Sequence, residues 1–93
     1  MIIEIKDDEL LADLEVNHYE CLSYENILSE TARSYGYNES YWEIWKQYME
    51  VFVSYYTLKE HFRTNYIIPA VGENYPGWWE VNFENKTITI HEN

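Results

Sequence analysis

Apolar and aromatic residues recur at helical spacing in the middle of the chain. From Ser23 onwards they follow one another at intervals of three and four residues, which is the spacing of one face of an α-helix. Gly36 comes directly after this run, and a glycine in that place is typical of a helix C-terminal cap. The pattern therefore predicts a helix from Ser23 to Tyr35, whose repeating face carries Tyr24, Ile27, Leu28, Thr31 and Tyr35.

A second helix is predicted beyond the short connection Tyr37–Glu39. Ser40 and Glu43 have the spacing of a capping box, in which each side chain satisfies a free backbone amide at the helix start. Helical periodicity continues to about Tyr66, so this helix is roughly 40 Å long at about 1.5 Å per residue. Its apolar arc is wider than one neighbouring helix covers, so we expect structure on both sides of it, with part of it meeting a partner.

Short elements are predicted on either side of the two helices. Ile2–Ile5 is β-branched and favours an edge strand or an extension laid on the core. After it, Asp7 or Asp8 is placed to cap a brief helix, although an extended segment fits as well. That brief helix would carry Leu10, Leu11 and Leu14 on one side.

The C-terminal part has the pattern of a β-hairpin. Pro69 marks the end of the long helix, and residues 71–77 are a loop by composition. Two β-prone runs follow, Trp78–Phe83 and Thr87–His91, and Asn85 in the loop between them is able to adopt a positive φ. Alternation places one face of each strand on the core, with Trp79, Val81 and Phe83 on the first and Ile88 and Ile90 on the second.

These elements define the predicted fold class, a single α+β domain over residues 1–93. We expect a helical hairpin with one long central helix, at about 40–66, packed against a small antiparallel sheet that contains the C-terminal β-hairpin. Ile2–Ile5 is a candidate third strand of that sheet. An isolated two-stranded hairpin is marginal in water, so this one has to dock on the helices.

Charge changes the expectation about partners more than about the fold. The chain has 17 acidic and six basic residues, for a net charge of -11, yet it is 46% hydrophobic and 18% aromatic. That hydrophobicity excludes a disordered acidic tail. Its negative field repels nucleic acid and anionic membranes and attracts cationic surfaces. We therefore expect a basic protein as partner, with no direct nucleic-acid contact and no membrane contact.

Catalytic and metal-binding patterns find little support. His18 and Cys21 form an isolated pair without the second pair that zinc sites usually show, so we expect no metal and no cofactor. Acidic neighbours would raise the pKa of the Cys21 thiol, which disfavours it as a nucleophile. No serine lies in a nucleophile-elbow motif, and three glycines provide no phosphate loop. The expectation is a protein that is not an enzyme. A single cysteine, with no leader or anchor pattern, predicts a cytoplasmic location, which is the host cytoplasm if the chain is phage-encoded.

The acidic residues concentrate near the N-terminus and form the first candidate binding site. An ordinary solvated face is the simpler interpretation of such a run, but these charges lack neutralising neighbours. Carboxylates one helical turn apart are about 5–6 Å from each other, comparable to successive backbone phosphates. The candidate partner-binding carboxylates are Asp7, Asp8, Glu9, Asp13, Glu15 and Glu20.

Aromatic residues around the two predicted turns form the second candidate site. Tyrosine and tryptophan fill cores and rims in small domains, and they are also enriched at interface hot spots. The candidate partner-binding aromatics are Tyr37 and Trp42 near the helix–helix turn, and Tyr75 and Trp78 near the loop before the hairpin.

Three functional hypotheses follow. The leading one is a small, stoichiometric, non-catalytic acidic inhibitor that binds a basic nucleic-acid-binding surface of a nuclease or defence complex. Such a protein would be an anti-CRISPR-like or other phage anti-defence protein of the DNA-mimic type. The alternatives are an accessory or adaptor protein that binds a peptide or an enzyme through an aromatic helix face, for example in a peptide-modification system, and an immunity protein against a toxin nuclease. A homodimer that covers the uncovered apolar side of the long helix is also possible.

Overall fold

The structure is a computed structural model that describes residues 1–92. Two long helices form a hairpin, and a three-stranded antiparallel sheet packs against one end of it, so the predicted α+β class is confirmed. The elements in chain order are β1 (Ile2–Glu4), α1 (Asp8–Tyr35), α2 (Glu39–Phe62), a π-helical turn (Arg63–Ile67), α3 (Ile68–Val71), β2 (Trp78–Asn82) and β3 (Thr87–His91).

Helix α1 is one continuous helix of 28 residues, so the prediction of a brief helix followed by a separate one from Ser23 was wrong. Asp7, one of the two predicted capping residues, is the N-cap, and its Oδ1 accepts a hydrogen bond from the Leu10 amide at 3.0 Å. Leu14, Cys21 and Leu28 are buried seven residues apart and line the side of α1 that faces inward. No glycine or proline interrupts residues 15–22, so nothing breaks the helix there.

Helix α1 ends at the hairpin turn as predicted, but α2 begins earlier than predicted. Gly36 adopts a positive φ of 74°, and its amide donates to the Ala32 carbonyl at 3.0 Å. Asn38 is the N-cap of α2, and its Oδ1 accepts from the Tyr41 amide at 3.0 Å. The capping box predicted at Ser40 was wrong, because asparagine is an equally good cap and precedes it in the chain.

Helix α2 contacts α1 through residues that alternate at intervals of three and four, the spacing of a coiled-coil seam. Its last member, Phe62, is fully buried, and the others are half-buried. The wide apolar arc predicted for this helix is therefore covered on one side only. The residues of the seam are Tyr41, Ile44, Tyr48, Val51, Tyr55, Leu58 and Phe62.

The helical path continues past the predicted end at Tyr66. After α2 it widens into the π-helical turn, where the Ile68 amide donates to the Arg63 carbonyl, and it then tightens into α3. Pro69 stands in the first turn of α3, where a missing N–H leaves little unsatisfied. Gly72, with a positive φ of 90°, ends the path instead of Pro69.

The sheet has the strand order β1–β3–β2, with both pairings antiparallel. Ile88 lies opposite Val81 on one side and Ile3 on the other, and Ile90 lies opposite Trp79. The predicted core faces of β2 and β3 and the third strand near the N-terminus are thus confirmed. In the hairpin loop, Lys86 rather than Asn85 has the positive φ, at 55°. The Asn85 amide instead donates to Asn82 Oδ1 at 2.8 Å.

The core lies at one end of an elongated molecule. The protein measures 46 × 28 × 19 Å, and its radius of gyration is 16.0 Å, whereas a compact chain of this length has about 12–13 Å. We call the sheet and the helix ends packed on it the base, and residues 20–54 of the helical hairpin the arm. The buried cluster of the base consists of Ile5, Leu11, Leu14, Phe62, Ile67, Ile88 and Ile90.

Candidate partner-binding surface

Helix α1 and its N-cap carry eight of the 17 acidic residues of the chain. Between Asp7 and Tyr35 the chain has eight carboxylates and one basic residue, Arg33. Arg33 pairs with Glu30 at the far end of the helix and so leaves the N-terminal two thirds unneutralised from within α1. Because α1 is continuous, all six carboxylates of the predicted acidic site lie on or directly before one rigid helix.

The two residues at the start of this site also hold the helix in place. The Asp7 amide and the Lys6 amide each donate to the Tyr66 hydroxyl at 3.3 Å, which ties the beginning of α1 to the π-helical turn. Asp8 forms an ion pair with Lys86 at 3.2 Å. Replacing Asp7 or Asp8 would therefore disturb the helix start as well as the surface charge.

The other four carboxylates of the site are free of such ties. Within residues 1–92, the side chains of Glu9, Asp13, Glu15 and Glu20 take part in no ion pair and no hydrogen bond. Glu15 is half-buried and the other three are exposed. At 3.6 residues per turn, Glu9, Asp13 and Glu20 form one row along the helix, and Asp8 and Glu15 form a second row.

An apolar stripe runs between the two rows of carboxylates. Its members are spaced at four, three, four and four residues, and they border an open groove of about 850 Å³ whose wall includes Tyr24 and Gln47. The Tyr24 hydroxyl donates to Gln47 Oε1 at 3.4 Å, which links this wall to α2. Two of the larger members, Val16 and Tyr19, are 57% and 55% exposed. We define the α1 stripe as Ala12, Val16, Tyr19 and Ile27 together with the small polar residue Ser23.

Sequence reasoning missed the α1 stripe because it divided α1 into two helices. Ile27 was predicted on the same helix face as Leu28, yet it is 47% exposed whereas Leu28 is buried. The signal was present in the sequence. Residues 12, 16, 19, 23 and 27 keep helical spacing, but the pattern shows only when residues 15–22 are assigned to the same helix as their neighbours.

Two of the predicted aromatic residues meet at the tip of the arm. Tyr37 and Trp42 have ring centroids 6.4 Å apart, and Tyr41 packs edge-on against both, at 4.9 and 5.0 Å. Trp45 extends the cluster, with its ring 6.1 Å from that of Trp42. Tyr37 is 70% exposed and Trp42 is 50% exposed. The cluster brings four large aromatic rings together at the tip of the arm.

The aromatic tip, which we define as Tyr37, Tyr41, Trp42 and Trp45, continues into an uncovered flank of α2. This flank lies beside the seam with α1, and no other element of the described chain covers it. Its most exposed members beyond the tip are Val53 and Tyr56, each at 59%. The α2 flank consists of Trp42, Trp45, Met49, Val53 and Tyr56.

The other two predicted aromatics lie in the base, so the four do not form one surface. Tyr75 is half-buried against the core, and its hydroxyl donates to the His91 carbonyl at 3.4 Å. Trp78 is 52% exposed and stacks on the His91 ring with centroids 4.0 Å apart. The Glu80 Oε1 atom lies 3.0 Å from His91 Nε2 on the same face of the sheet.

Cys21 lies buried between the two helices. Burial raises the pKa of its thiol above the ordinary value, and the nearby carboxylates of Glu25 and Glu20 raise that pKa further. The thiol is therefore held in its protonated, weakly nucleophilic form. His18 Nδ1 lies 3.3 Å from the Tyr55 hydroxyl. Across the described chain, no three His, Cys, Asp or Glu side chains are grouped in a way that could hold a metal ion.

Comparisons of the chain with family models, with curated proteins and with solved structures found no significant match. In the part of the chain that the structure describes, no helix combines the length and the apolar character needed to cross a membrane. The surface of α1, the aromatic tip and the α2 flank are therefore the features from which a function can be inferred.

Proposed function

We propose that this protein is a small acidic inhibitor that binds a basic nucleic-acid-binding surface of a nuclease or defence complex. It would act stoichiometrically and without catalysis, as an anti-CRISPR-like or other phage anti-defence protein of the DNA-mimic type. Its place of action would be the cytoplasm, which is that of the host if the protein is phage-encoded. The observation that carries the proposal is the row of unpaired carboxylates along one continuous helix, α1.

The spacing of these carboxylates suits a surface that normally holds a phosphate backbone. Glu9 and Asp13 are one helical turn apart, which places such side chains about 5–6 Å from each other. Asp13 and Glu20 continue the same row for two further turns. A groove lined with lysine and arginine could accept this row in place of a nucleic-acid strand, and the protein would then exclude nucleic acid from the groove.

Unpaired like charges cost free energy in the unbound protein, and a cationic partner would relieve that repulsion. Charge complementarity of this kind accelerates encounter and makes binding sensitive to salt. Slow dissociation requires buried contacts in addition to charge. The apolar and aromatic residues beside and beyond the carboxylates are suited to that role.

The test is the displacement of labelled DNA or RNA from a panel of purified nucleases, including nucleic-acid-guided ones, by the wild-type protein and two charge-reversed variants. The first variant carries Asp13→Lys, Glu15→Lys and Glu20→Lys, which avoids Asp7 and Asp8 because they hold the helix start. The second is a matched control with the same change in net charge outside α1. It carries Glu43→Lys, Glu50→Lys and Glu84→Lys, all at exposed positions.

We expect the α1 variant to lose displacement by about tenfold or more, since several charge contacts would become repulsive. The control variant should lose no more than about threefold, because only long-range attraction would change. Equal losses in the two variants would reduce the effect to net charge and contradict a specific role for α1. No displacement by the wild-type protein from any basic nuclease of the panel would contradict the proposal as a whole.

The uncovered α2 flank supports a second candidate function. An accessory or adaptor protein could bind a peptide or an enzyme through the aromatic tip and the α2 flank, for example in a peptide-modification system. Exposed tryptophan and tyrosine clusters are frequent interface hot spots. Trp42→Ala together with Val53→Ser should then abolish binding, while the α1 charge reversal leaves it unchanged. An immunity protein against a toxin nuclease would behave as the inhibitor does in this assay. The toxin would then be the nuclease from which nucleic acid is displaced.

A further inference from the structure

We infer that the α1 stripe is the docking site for a cationic amphipathic α-helix of the partner protein. This inference deepens the proposed inhibitor and rests on it, because it names the kind of element within a basic partner surface that α1 would contact. It differs from charge mimicry alone, since a mimic of a phosphate backbone needs no apolar contact between its rows of charge.

The α1 stripe is unusual because it lies opposite the face that α1 buries. Leu14, Cys21 and Leu28 already pack inward, so α1 has no further need of apolar residues for the fold. Val16 and Ile27 are nevertheless 57% and 47% exposed on the outer face. Exposed apolar residues that line up over several turns mark an interaction surface more often than scattered ones do.

The dimensions of the α1 stripe fit a helix of moderate length. Ala12 and Ile27 are about 22 Å apart along the axis at roughly 1.5 Å per residue, or about four turns. Positions at intervals of three and four residues receive the matching positions of a second helix, as knobs fit into holes. The groove beside the stripe, walled by Tyr24 and Gln47, provides the depth for such side chains.

Charge complementarity selects the occupant. Glu9, Asp13 and Glu20 flank one edge of the α1 stripe, and Asp8 and Glu15 flank the other. A helix seated between these rows would place its own flanking residues beside carboxylates on both sides, so lysine and arginine are favoured there. The arrangement resembles the flanking charges that select partners in coiled coils.

The same charges oppose a second copy of this chain as the occupant. Two α1 outer faces brought together would each present the same unneutralised carboxylates to the other. Like charges in close contact destabilise an interface, and nucleic acid would be repelled in the same way. A cationic helix satisfies both the apolar stripe and its acidic borders.

The experiment uses two synthetic peptides of identical composition, each 18 residues long and made of leucine, lysine, arginine and alanine. In the patterned peptide the leucines recur at intervals of three and four and the basic residues flank them. In the control peptide the leucines are spread evenly around the helix. Binding of each fluorescein-labelled peptide to the full-length protein is measured by fluorescence anisotropy at physiological salt.

We expect the patterned peptide to bind at least tenfold more tightly than the control peptide. The double variant Val16→Ser, Ile27→Ser should weaken binding of the patterned peptide by about tenfold. The matched variant Val53→Ser, Tyr56→Ser on the α2 flank should change it by less than about twofold. Both pairs are exposed, so circular dichroism and a thermal melt of each variant are expected to match the wild type.

Several results would overturn the inference. Equal affinity for the two peptides would mean that α1 recognises charge without an apolar seat. Equal weakening by the two double variants would place the contact elsewhere. Concentration-dependent dimerisation in analytical ultracentrifugation that Val16→Ser abolishes would make a second copy the occupant. If the variants fail to fold, hydrogen exchange of the wild-type protein decides, because only protection of residues 12–27 on adding the patterned peptide agrees with the inference.

The inference and the proposed function can fail separately. If the α1 charge reversal abolishes displacement from a nuclease while the two peptides bind equally, the acidic inhibitor stands and the helix-docking site is wrong. If the patterned peptide is preferred while no nuclease releases its nucleic acid, the docking site stands and the inhibitor is wrong.

Discussion

The base and the arm contain similar proportions of apolar residues but bury them to different extents. In the base, seven apolar side chains from both helices, the π-helical turn and the sheet form one buried cluster. In the arm, only Cys21 and Leu28 are buried among the described residues, although aromatic and aliphatic residues are just as frequent there. The arm consists of two helices that cover one side of each other and leave the rest to solvent.

This difference separates stability from recognition. A helical pair without a third layer leaves apolar surface exposed, and that surface is available to a partner. In the base the sheet covers the inward faces of the helix ends, while outward-facing Val16, Tyr19 and Trp78 stay exposed. We therefore expect substitutions at buried positions of the base to change the free energy of unfolding and exposed substitutions on α1 or the arm to change binding.

The largest difference is expected between two phenylalanines of the same helix. Phe62 is fully buried in the base and Phe52 is 39% exposed in the arm. Phe62→Ala should lower the free energy of unfolding by about 3–5 kcal/mol, because it removes a buried ring and leaves a cavity. Phe52→Ala should cost about 1 kcal/mol, since much of its ring is already in water. Urea unfolding followed by circular dichroism measures both, and similar losses would contradict the division into base and arm.

A smaller effect is expected at the junction of α1 with the base. Tyr66→Phe removes the hydroxyl that accepts hydrogen bonds from the Lys6 and Asp7 amides. The loss should be about 1 kcal/mol, the usual net value of such hydrogen bonds. Tyr56→Phe is the control, because Tyr56 is 59% exposed and its hydroxyl has no hydrogen-bond partner in the described chain. A Tyr66→Phe variant as stable as the control would show that α1 is not held by this contact.

A comparable effect is expected at the start of α2 in the arm. Asn38→Ala should cost about 1 kcal/mol, because it removes the acceptor for the Tyr41 amide. Ser40→Ala should cost close to zero, because Ser40 lies inside the helix and caps nothing. Thermal unfolding of both variants distinguishes the two positions. If Ser40→Ala were instead the less stable variant, Ser40 rather than Asn38 would be the residue that caps α2.

The smallest effect is expected from the ionisation of Cys21. Its raised pKa means that the unfolded chain releases the thiol proton at lower pH than the folded protein does. The stabilising contribution is therefore complete below the unfolded pKa and declines as pH rises through the folded pKa. The free energy of unfolding should fall more between about pH 8 and pH 10 in the wild type than in Cys21→Ala. Native Cys21 should also react with iodoacetamide more slowly than the urea-unfolded chain, and equal rates would contradict its burial.

Sequence patterns predicted the fold because helical and strand periodicities are local signals. The hairpin turn at Gly36, the N-cap at Asp7 and the inward faces of β2 and β3 all follow from such signals. The errors arose where two local signals competed. Asn38 precedes Ser40 as a cap, and Lys86 takes the positive φ because Asn82 holds the Asn85 amide.

The candidate site was predicted only in part, because exposure depends on packing between distant segments. The acidic residues could be identified from charge alone. Tyr75 and Trp78 resembled Tyr37 and Trp42 in the sequence, yet the sheet half-buries Tyr75 and stacks Trp78 on His91. The α1 stripe depended on the continuity of α1, and the α2 flank depended on which side of α2 the first helix covers.

The most direct test of the account is the nucleic-acid displacement assay with the two triple charge reversals, carried out at low and at physiological salt on variants shown to unfold like the wild type. The account predicts that Asp13→Lys, Glu15→Lys, Glu20→Lys weakens displacement from a basic nuclease by about tenfold or more at both salt concentrations. It also predicts that Glu43→Lys, Glu50→Lys, Glu84→Lys weakens displacement by no more than about threefold. Displacement that is unchanged by the reversal on α1, or that is weakened equally in both variants, would contradict the claim that the outer face of α1 binds the partner.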